Sequence, residues 1–278
     1  MSVMDKIQPL QRLISDADYV LIGAGAGLSA AAGLDYGGAD FRREFGEWIS
    51  RYGITELYSS SFYPFKTEEE RWAYWAKHIW FARYRSGATP LYRQLYRLVR
   101  DKTHFVITTN VDGQFEKAGF SADRIFATQG DYAYFQPQSG SPKELYNNQE
   151  WVERALPTIK DCRIPTELVP HSPAGKPVAV NLRCDDTFVE DDHWHRQAAC
   201  YQQFIQKAYD KRLLLLEFGV GFNTPVIIRF PFERMAAEFP ETTLVRFNRD
   251  YPQLTTEGVS NYLAVTEDLN EVMAQLSQ

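Results

Sequence analysis

Two apolar segments of the chain each end in amide or carboxylate side chains. The segment THFVITT is followed by Asn110 and Asp112, and the shorter segment RIFAT is followed by Gln129. No histidine lies between residues 110 and 129. An amide can donate to and accept from hydroxyl groups, but it has no useful affinity for a proton near neutral pH. These residue types favour chemistry that depends on orienting a ligand rather than on a strong base.

A third apolar segment runs into closely spaced glycines. In DYVLIGAGAGLSAAAG, which begins at Asp18, residues 25–30 fit the pattern G-x-G-x-x-A. Such glycines let backbone N–H groups approach a pyrophosphate at the positive end of a helix. A dinucleotide dehydrogenase would place an acidic residue after a second strand about 20 positions later, whereas this chain continues as the loop GLDYGGADFRREF. The motif alone is weak, and hydride transfer is disfavoured.

Strands and helices must alternate to bring these residues together. Further apolar strands are predicted at residues 212–219, 242–248 and 261–266, with helical patterns between most of them. This alternation is typical of an α/β fold with a doubly wound parallel sheet, which is Rossmann-like. The carboxyl ends of parallel strands form the ligand crevice of such a sheet. Polar residues or glycines follow these strands too, namely Gly219, Gly221, Asn248 and Asp268, so the series predicts one binding site rather than chance loops.

Two stretches interrupt the alternation and predict a smaller inserted domain. We assign residues 1–34, 88–130 and 186–278 to the Rossmann-like domain and residues 35–87 and 131–185 to the small domain. In the first insertion, Trp72, Trp75 and Ile79 fall on one helical face. We expect this stripe to be hydrophobic core, with a ligand-stacking platform as the weaker alternative. The second insertion is rich in Pro, Gly and Ser, with one helix expected near residues 148–156.

Composition limits the classes of protein that remain. A chain of 278 residues with 44% apolar content can bury a large core. It has no uninterrupted apolar run of about 20 residues and no signal-like amino terminus, so we expect a cytoplasmic protein without membrane contact. Net charge of −6 with interspersed signs argues against nucleic-acid binding. Cys162, Cys184 and Cys200 are few and widely spaced, so we expect reduced thiols.

In this order, the motifs resemble those of the sirtuins, which are NAD-consuming protein deacylases and ADP-ribosyltransferases. The resemblance covers nearly the whole chain. GAGLSAAAG resembles the sirtuin GAGxSxxxG loop, residues 40–42 its DFR, residues 109–112 its QNxD, and residues 219–221 its later glycine segment. It implies a NAD site that includes Gly25, Ala26, Gly27, Ser29, Asp40, Phe41, Asn110, Asp112, Gln129, Gly219, Gly221, Asn248 and Asp268. Within that site it implies phosphates near Ala26 and Ser29, the nicotinamide ribose near Asn110, the carboxamide near Asp112, and adenosine near Asn248 and Asp268.

The chain departs from the sirtuin deacylases at two places. Where they carry a histidine before glycine, this chain has Gln129, which puts ordinary deacylation in doubt because histidine suits general-base work there. It also lacks the two CxxC pairs of the sirtuin zinc module. Zinc would need other ligands, such as His171 with Cys162 and Cys184, and we expect packed thiols and no metal instead. The run DDHWH at residues 191–195 is interpreted as a solvated loop or a helix start rather than a metal site.

These departures resemble the class M sirtuins, microbial proteins linked to macrodomains. The resemblance implies a protein ADP-ribosyltransferase that uses NAD as co-substrate. It also implies a lipoyl-carrier protein, similar to the glycine-cleavage H protein, as acceptor, and a macrodomain hydrolase as functional partner. Asn110, Gln129 and Arg183 are the candidate catalytic residues, and a plain surface arginine is the alternative for Arg183. Three other functions stay open, which are a NAD glycohydrolase, a protein-lysine deacylase and a non-catalytic NAD or ADP-ribose sensor.

Overall fold

A parallel sheet of six strands forms the centre of the protein, in a computed structural model that describes residues 3–34 and 36–276. Its strand order is β3-β2-β1-β7-β8-β9 and every pairing is parallel. Taken along the chain, this is the 3-2-1-4-5-6 order of a doubly wound dinucleotide-binding sheet. The predicted Rossmann-like fold is therefore confirmed. The strands are β1 (Tyr19–Ala24), β2 (Thr103–Thr108), β3 (Ile125–Ala127), β7 (Leu213–Phe218), β8 (Thr242–Phe247) and β9 (Tyr262–Val265).

Helices cover both faces of this sheet. One face packs against helices α1, α2, α7 and α12, and the other packs against α10 and α11. Side chains alternate between the faces along each strand, so Val20 and Ile22 lie in the first core and Leu21 lies in the second. The helices of this part are α1 (Val3–Asp16), α2 (Ala26–Ala31), α7 (Pro90–Val99), α8 (Gln114–Ala118), α10 (Asp192–Ala208), α11 (Arg229–Glu238) and α12 (Leu269–Leu276).

A smaller unit carries an antiparallel sheet of three strands in the order β5-β4-β6. Its core contains Trp72, Trp75 and Ile79, all buried, so the prediction of a core stripe is confirmed. The domain boundaries remain a prediction, and residue 35, at one of them, lies outside the described residues. The elements are α3 (Ala39–Glu44), α4 (Gly46–Tyr52), α5 (Leu57–Ser60), α6 (Glu68–Ile79), α9 (Gln149–Ala155), β4 (Gly130–Pro137), β5 (Tyr146–Asn147) and β6 (Val178–Leu182).

Local sequence explains where the site-bearing elements begin. The run at residues 191–195 is a helix start, because the Asp191 side chain accepts a hydrogen bond from the backbone N–H of Trp194 at 2.8 Å and caps α10. The expected helix near residues 148–156 is α9. Helix α11, which follows the loop after β7, begins at Arg229. Over residues 3–34 and 36–276, no helix combines the length and the apolar character needed to cross a bilayer.

Candidate functional site

The glycine loop after β1 lies directly against the loop after β7. The Gly25 N–H donates to the Phe218 carbonyl at 3.0 Å, and the Gly27 N–H donates to the Gly219 carbonyl at 3.1 Å. A Cβ at Gly27 would lie 2.7 Å from the Gly219 Cα, and Gly219 itself has a φ of +58°. β1 and β7 are adjacent at the point where the strand order reverses, which is where a doubly wound sheet binds dinucleotides. This close backbone contact leaves no room for a side chain at Gly25, Gly27 or Gly219.

Gly27→Ala is expected to destabilise the protein, because the added methyl group would meet backbone that cannot move aside. Overpacking of this kind costs about 1–3 kcal/mol. Gly221→Ala is the matched control, since within the described part of the chain no atom beyond its two neighbours in sequence lies within 4 Å of a Cβ at that position. Urea denaturation of the two variants measures the difference, and equal stability of Gly27→Ala and wild type would contradict the contact.

Asp112 anchors a set of hydrogen bonds at the carboxyl end of β2. Its side chain accepts from the Ser29 hydroxyl at 2.5 Å, the Tyr36 hydroxyl at 3.2 Å and the Gln114 backbone N–H at 3.0 Å. The Ser29 and Tyr92 hydroxyls are 2.9 Å apart. Asp112, Ser29 and Tyr92 are fully buried or nearly so. We call Ser29, Tyr36, Tyr92, Asn110 and Asp112 the polar set.

Burial shifts the pKa values of the polar set. Desolvation raises the pKa of Asp112, although the hydrogen bonds from Ser29 and Gln114 oppose the shift. Desolvation also raises the pKa values of Tyr36 and Tyr92 well above their ordinary range, and the nearby Asp112 charge adds to this. The phenols therefore stay protonated at neutral pH and act as hydrogen-bond donors rather than as bases.

Asn110 joins the polar set to the glycine loop. Its Nδ2 donates to the Gly25 carbonyl at 3.0 Å and to the Tyr92 hydroxyl at 3.2 Å, while its backbone N–H donates to the Thr108 hydroxyl at 3.0 Å. The side chain is half-buried, unlike the buried Ser29 and Asp112. Asn110 is thus held in a fixed orientation at the edge of the set that a ligand can reach.

Gln129 lies in the turn between β3 and β4, next to Arg183. The Arg183 N–H donates to the Gln129 carbonyl at 2.9 Å, and the Arg183 Nε donates to the Thr128 carbonyl at 3.3 Å. The Gln129 side chain is half-buried and has no hydrogen-bond partner among the described residues. The Arg183 guanidinium pairs with Glu190 at 2.5 Å and lies 4.2 Å from the centre of the Phe188 ring. Arg183 is therefore next to Gln129, with its charge compensated by Glu190.

A largely apolar groove between α10 and α11 opens beside these two residues. Its volume is about 630 Å³. Ile107 and Phe126 of the sheet line its inner side. The other lining residues include the apolar or aromatic Trp194, Tyr201, Ile205, Ile227 and Met235, the amides Gln129 and Gln202, and the charged Arg183, Glu190, Arg234 and Glu238. The groove thus connects the face of the sheet with the end of β3, where Gln129 lies.

The remaining predicted ligand residues hold parts of the fold. Asn248 donates to the Val220 carbonyl at 2.9 Å and accepts from the Tyr251 N–H at 3.0 Å, so it links the loops after β7 and β8. Asp268 is exposed and caps α12 by accepting from the backbone N–H groups of Asn270 and Glu271 at 2.9 and 3.2 Å. A nucleotide contact of either residue stays a prediction.

Asp40 and Phe41 make no hydrogen bond with the polar set. Phe41 is completely buried in the core of the smaller unit, with its ring 4.9 Å from that of Phe45. Asp40 is partly exposed and pairs with Arg43 at 2.8 Å and with Arg85 at 3.0 Å. Their predicted contact with NAD therefore rests on the motif resemblance alone.

Sequence reasoning missed Tyr36 and Tyr92. Tyr92 falls on the apolar face of α7 between Leu91 and Leu95, so its spacing indicates only core. Tyr36 lies next to two glycines in a loop, and that position was the one available signal. Their hydroxyl groups complete a site whose other members follow strands.

The structure gives no metal site in the region it describes. No group of three or more His, Cys, Asp or Glu side chains there could hold a metal ion. Cys162 is buried, Cys184 is exposed and Cys200 is half-buried, and all are free thiols. The His171 Nδ1 lies 2.9 Å from the Val169 carbonyl.

Comparisons with known proteins place this geometry in context. No protein-family model matches the chain. A protein ADP-ribosyltransferase of Staphylococcus aureus is 29% identical over 266 residues, which are 95% of this chain and 84% of that protein. A probable bifunctional ADP-ribose hydrolase/ADP-ribosyltransferase of Fusarium oxysporum f. sp. cubense is 32% identical over 235 residues, which are 79% of this chain. The chain spans only 38% of the length of that second relative.

Solved structures of sirtuins share the fold. A sirtuin structure that addresses the structural basis of substrate affinity superposes with a TM-score of 0.63 at 16% identity, and the match covers 97% of each chain. A Sir2 homologue in complex with NAD superposes with a TM-score of 0.61 at 15% identity, covering 97% of this chain and 92% of that one. At these identities, the likeness establishes the fold.

Proposed function

Because the chain is a sirtuin-family ADP-ribosyltransferase, we propose that it cleaves the nicotinamide bond of NAD and transfers ADP-ribose to a lipoyl-carrier protein. The observation that carries the proposal is the polar set, which holds Asn110 in a fixed orientation beside the glycine loop. Gln129, whose side-chain amide has no hydrogen-bond partner among the described residues, follows the neighbouring strand β3. This arrangement supplies orientation without histidine.

Orientation and charge stabilisation are what the bond cleavage requires. The bond between the ribose C1′ and the nicotinamide nitrogen breaks, positive charge builds on C1′, and nicotinamide leaves as a neutral molecule. Asn110 and Gln129 would hold the ribose hydroxyls while this charge develops. Asp112 would orient the carboxamide through Oδ1, which accepts one hydrogen bond from Gln114 and keeps a second lone pair.

The acceptor would complete the reaction from the groove. A nucleophile of the partner forms the new bond to C1′ and releases its proton to water, because Gln129 cannot take it. An apolar groove of about 630 Å³ that opens at Gln129 and Arg183 suits a long, mainly apolar arm such as lipoyl-lysine. Arg183, freed from Glu190, could receive an anionic group of the partner or the diphosphate.

We also propose that a macrodomain hydrolase removes the modification. Support comes from the Fusarium relative, whose name joins an ADP-ribose hydrolase to an ADP-ribosyltransferase in one protein. A reversible modification inside the cell agrees with the cytoplasmic location that we propose.

The proposal is tested by incubating the purified chain with NAD and a lipoyl-carrier protein, in the lipoylated and the unlipoylated form. We expect nicotinamide release together with the mass of one added ADP-ribose on the lipoylated carrier alone. Release of nicotinamide at the same rate without any carrier would identify a glycohydrolase. Binding without release would identify a sensor, and deacylation of an acetyl-lysine peptide would identify a deacylase.

Filling the groove should separate transfer from cleavage. Gln202 is exposed and lines the groove, so Gln202→Trp is expected to slow transfer by about tenfold, the effect of about 1.4 kcal/mol of lost binding. Acceptor-independent nicotinamide release should stay unchanged. Gln203→Trp is the matched control, because Gln203 is equally exposed on α10 but does not line the groove. Equal transfer by both variants would show that the acceptor approaches elsewhere.

A further inference from the structure

Four charged side chains are completely buried behind the loops that follow β7 and β8. They are Glu217, Arg229, Glu233 and Arg246, each with no exposed surface. Arg246 donates to both oxygens of Glu217 at 2.7 and 2.9 Å and to Glu233 at 2.8 Å. Arg229 lies 3.8 Å from Glu217 and 3.9 Å from Glu233. We call these residues the buried quartet, and its formal charges cancel.

Arg229 fastens the quartet to the loop after β7 and to the loop after β8. It donates to the Val220 carbonyl at 3.3 Å and to the carbonyls of Tyr251 and Gln253 at 3.1 and 2.6 Å. Its guanidinium also lies 4.4 Å from the centre of the ring of Phe222, which is an exposed aromatic of the first loop.

The other quartet members hold the second loop further along. Arg246 donates to the Gln253 carbonyl at 2.7 Å. Glu233 accepts from the Thr255 N–H at 2.9 Å, the Thr255 hydroxyl at 2.6 Å and the Thr256 N–H at 2.8 Å. Together with the Asn248 contact to Val220, these bonds fix residues 219–222 and 248–256 relative to each other.

Stability alone is a weak reason for burying four charges. Desolvation of buried ions offsets most of their attraction, and apolar side chains of similar volume often stabilise a protein equally well. Apolar side chains, however, cannot form hydrogen bonds with the backbone of a loop. The quartet side chains form such bonds with two loops at the carboxyl ends of the strands, which is the ligand side of the sheet.

The position of the reaction decides which part of NAD these loops would meet. The proposed function places the bond that breaks near Gln129 and Asn110, and the groove opens at Gln129. These residues follow β3 and β2, on one side of β1, whereas the two loops follow β7 and β8 on the other side. A dinucleotide that crosses the switch point therefore places its adenosine half over the loops.

We propose that the buried quartet positions the two loops for the adenosine half of NAD, so that it sets NAD affinity rather than the rate of bond cleavage. This inference rests on the proposed function and deepens it. The four side chains are positioning residues, since the loops lie between them and the ligand.

The test uses the charge-balanced variant Arg229→Met/Glu233→Gln in the full chain, which leaves the Glu217–Arg246 pair intact. We expect the Kd values for AMP and ADP-ribose and the KM for NAD to rise about tenfold or more, through loss of one or two directed hydrogen bonds. The kcat at saturating NAD should stay within about threefold of wild type. Arg229→Lys keeps the charge but not the fork geometry, so it should weaken AMP binding less than the double variant does. If the double variant does not fold, Arg229→Lys takes its place in the test.

Val245→Ala is the matched control for a general loss of stability. Val245 is fully buried on β8 next to Arg246 but faces the opposite core, so its truncation should lower the melting temperature without changing the Kd for AMP.

Unchanged AMP and ADP-ribose binding in folded quartet variants would overturn the inference, and so would a fall in kcat with an unchanged KM. Because AMP binding needs no turnover, a wild type that binds AMP but transfers nothing defeats the proposed function and leaves the inference standing. A wild type that binds neither nucleotide overturns both.

Discussion

Asn110→Ala is expected to abolish most ADP-ribose transfer while leaving a folded protein that still binds ADP-ribose. The Asn110 amide is held by the Gly25 carbonyl and the Tyr92 hydroxyl, so it meets the ribose without having to reorganise. Loss of one such preorganised contact in the transition state typically costs ~2.7–4 kcal/mol, or about 10²–10³ in rate. Single-turnover transfer, measured at saturating NAD, gives this ratio directly.

Tyr92→Phe provides the comparison for this prediction. It removes the hydroxyl group that orients Asn110 but leaves the amide in place, so we expect a smaller loss of about tenfold or less, near the value of one hydrogen bond. ADP-ribose affinity should be nearly unchanged in both variants. If Asn110→Ala transfers ADP-ribose at a rate within threefold of wild type, Asn110 serves only to end strand β2.

Gln129→Ala is expected to lower transfer at least about tenfold with the fold intact, because the ribose loses an orienting partner. The side-chain amide of Gln129 contacts no hydrogen-bonding group of the described residues, so its removal breaks no internal bond. A loss of activity would then report on the ligand rather than on stability. Thermal unfolding of the variant checks this distinction.

Gln129→His tests whether residue 129 alone sets the reaction type. Histidine restores a base with a free pKa of about 6.5. In this variant Arg183 would still line the groove that an acyl-lysine would have to enter. Its guanidinium is held there by the Phe188 ring and by Glu190. We therefore expect little or no deacylation of an acetyl-lysine peptide. Efficient deacylation would show that Arg183 beside the groove does not keep acyl-lysine out. Normal transfer by Gln129→Ala would mean that Gln129 takes no part in the reaction.

The sequence by itself determined the sheet and the strand ends that carry Asn110, Gln129 and Asn248. Continuous apolar runs separated by helical patterns leave few topologies, because parallel strands need crossovers of one hand. The same local signals placed the glycine loop after β1 and the tryptophan stripe in a core. Each of these features depends on residues close together in the chain.

Only the tertiary structure decided which distant side chains share the site. The bonds from Ser29 to Tyr92, from Ser29 to Asp112 and from Asn110 to Gly25 join residues 63, 83 and 85 positions apart. Periodicity cannot reveal such contacts, since a tyrosine on an apolar helical face has the same pattern whether or not its hydroxyl group finds a partner. The NAD contact of Phe41 stays a prediction from the motif resemblance, and only the structure shows that this side chain is completely buried in the core of the smaller unit. The buried quartet was likewise invisible in the sequence, where arginine and glutamate normally indicate surface, because their burial depends on partners that three separate elements bring together.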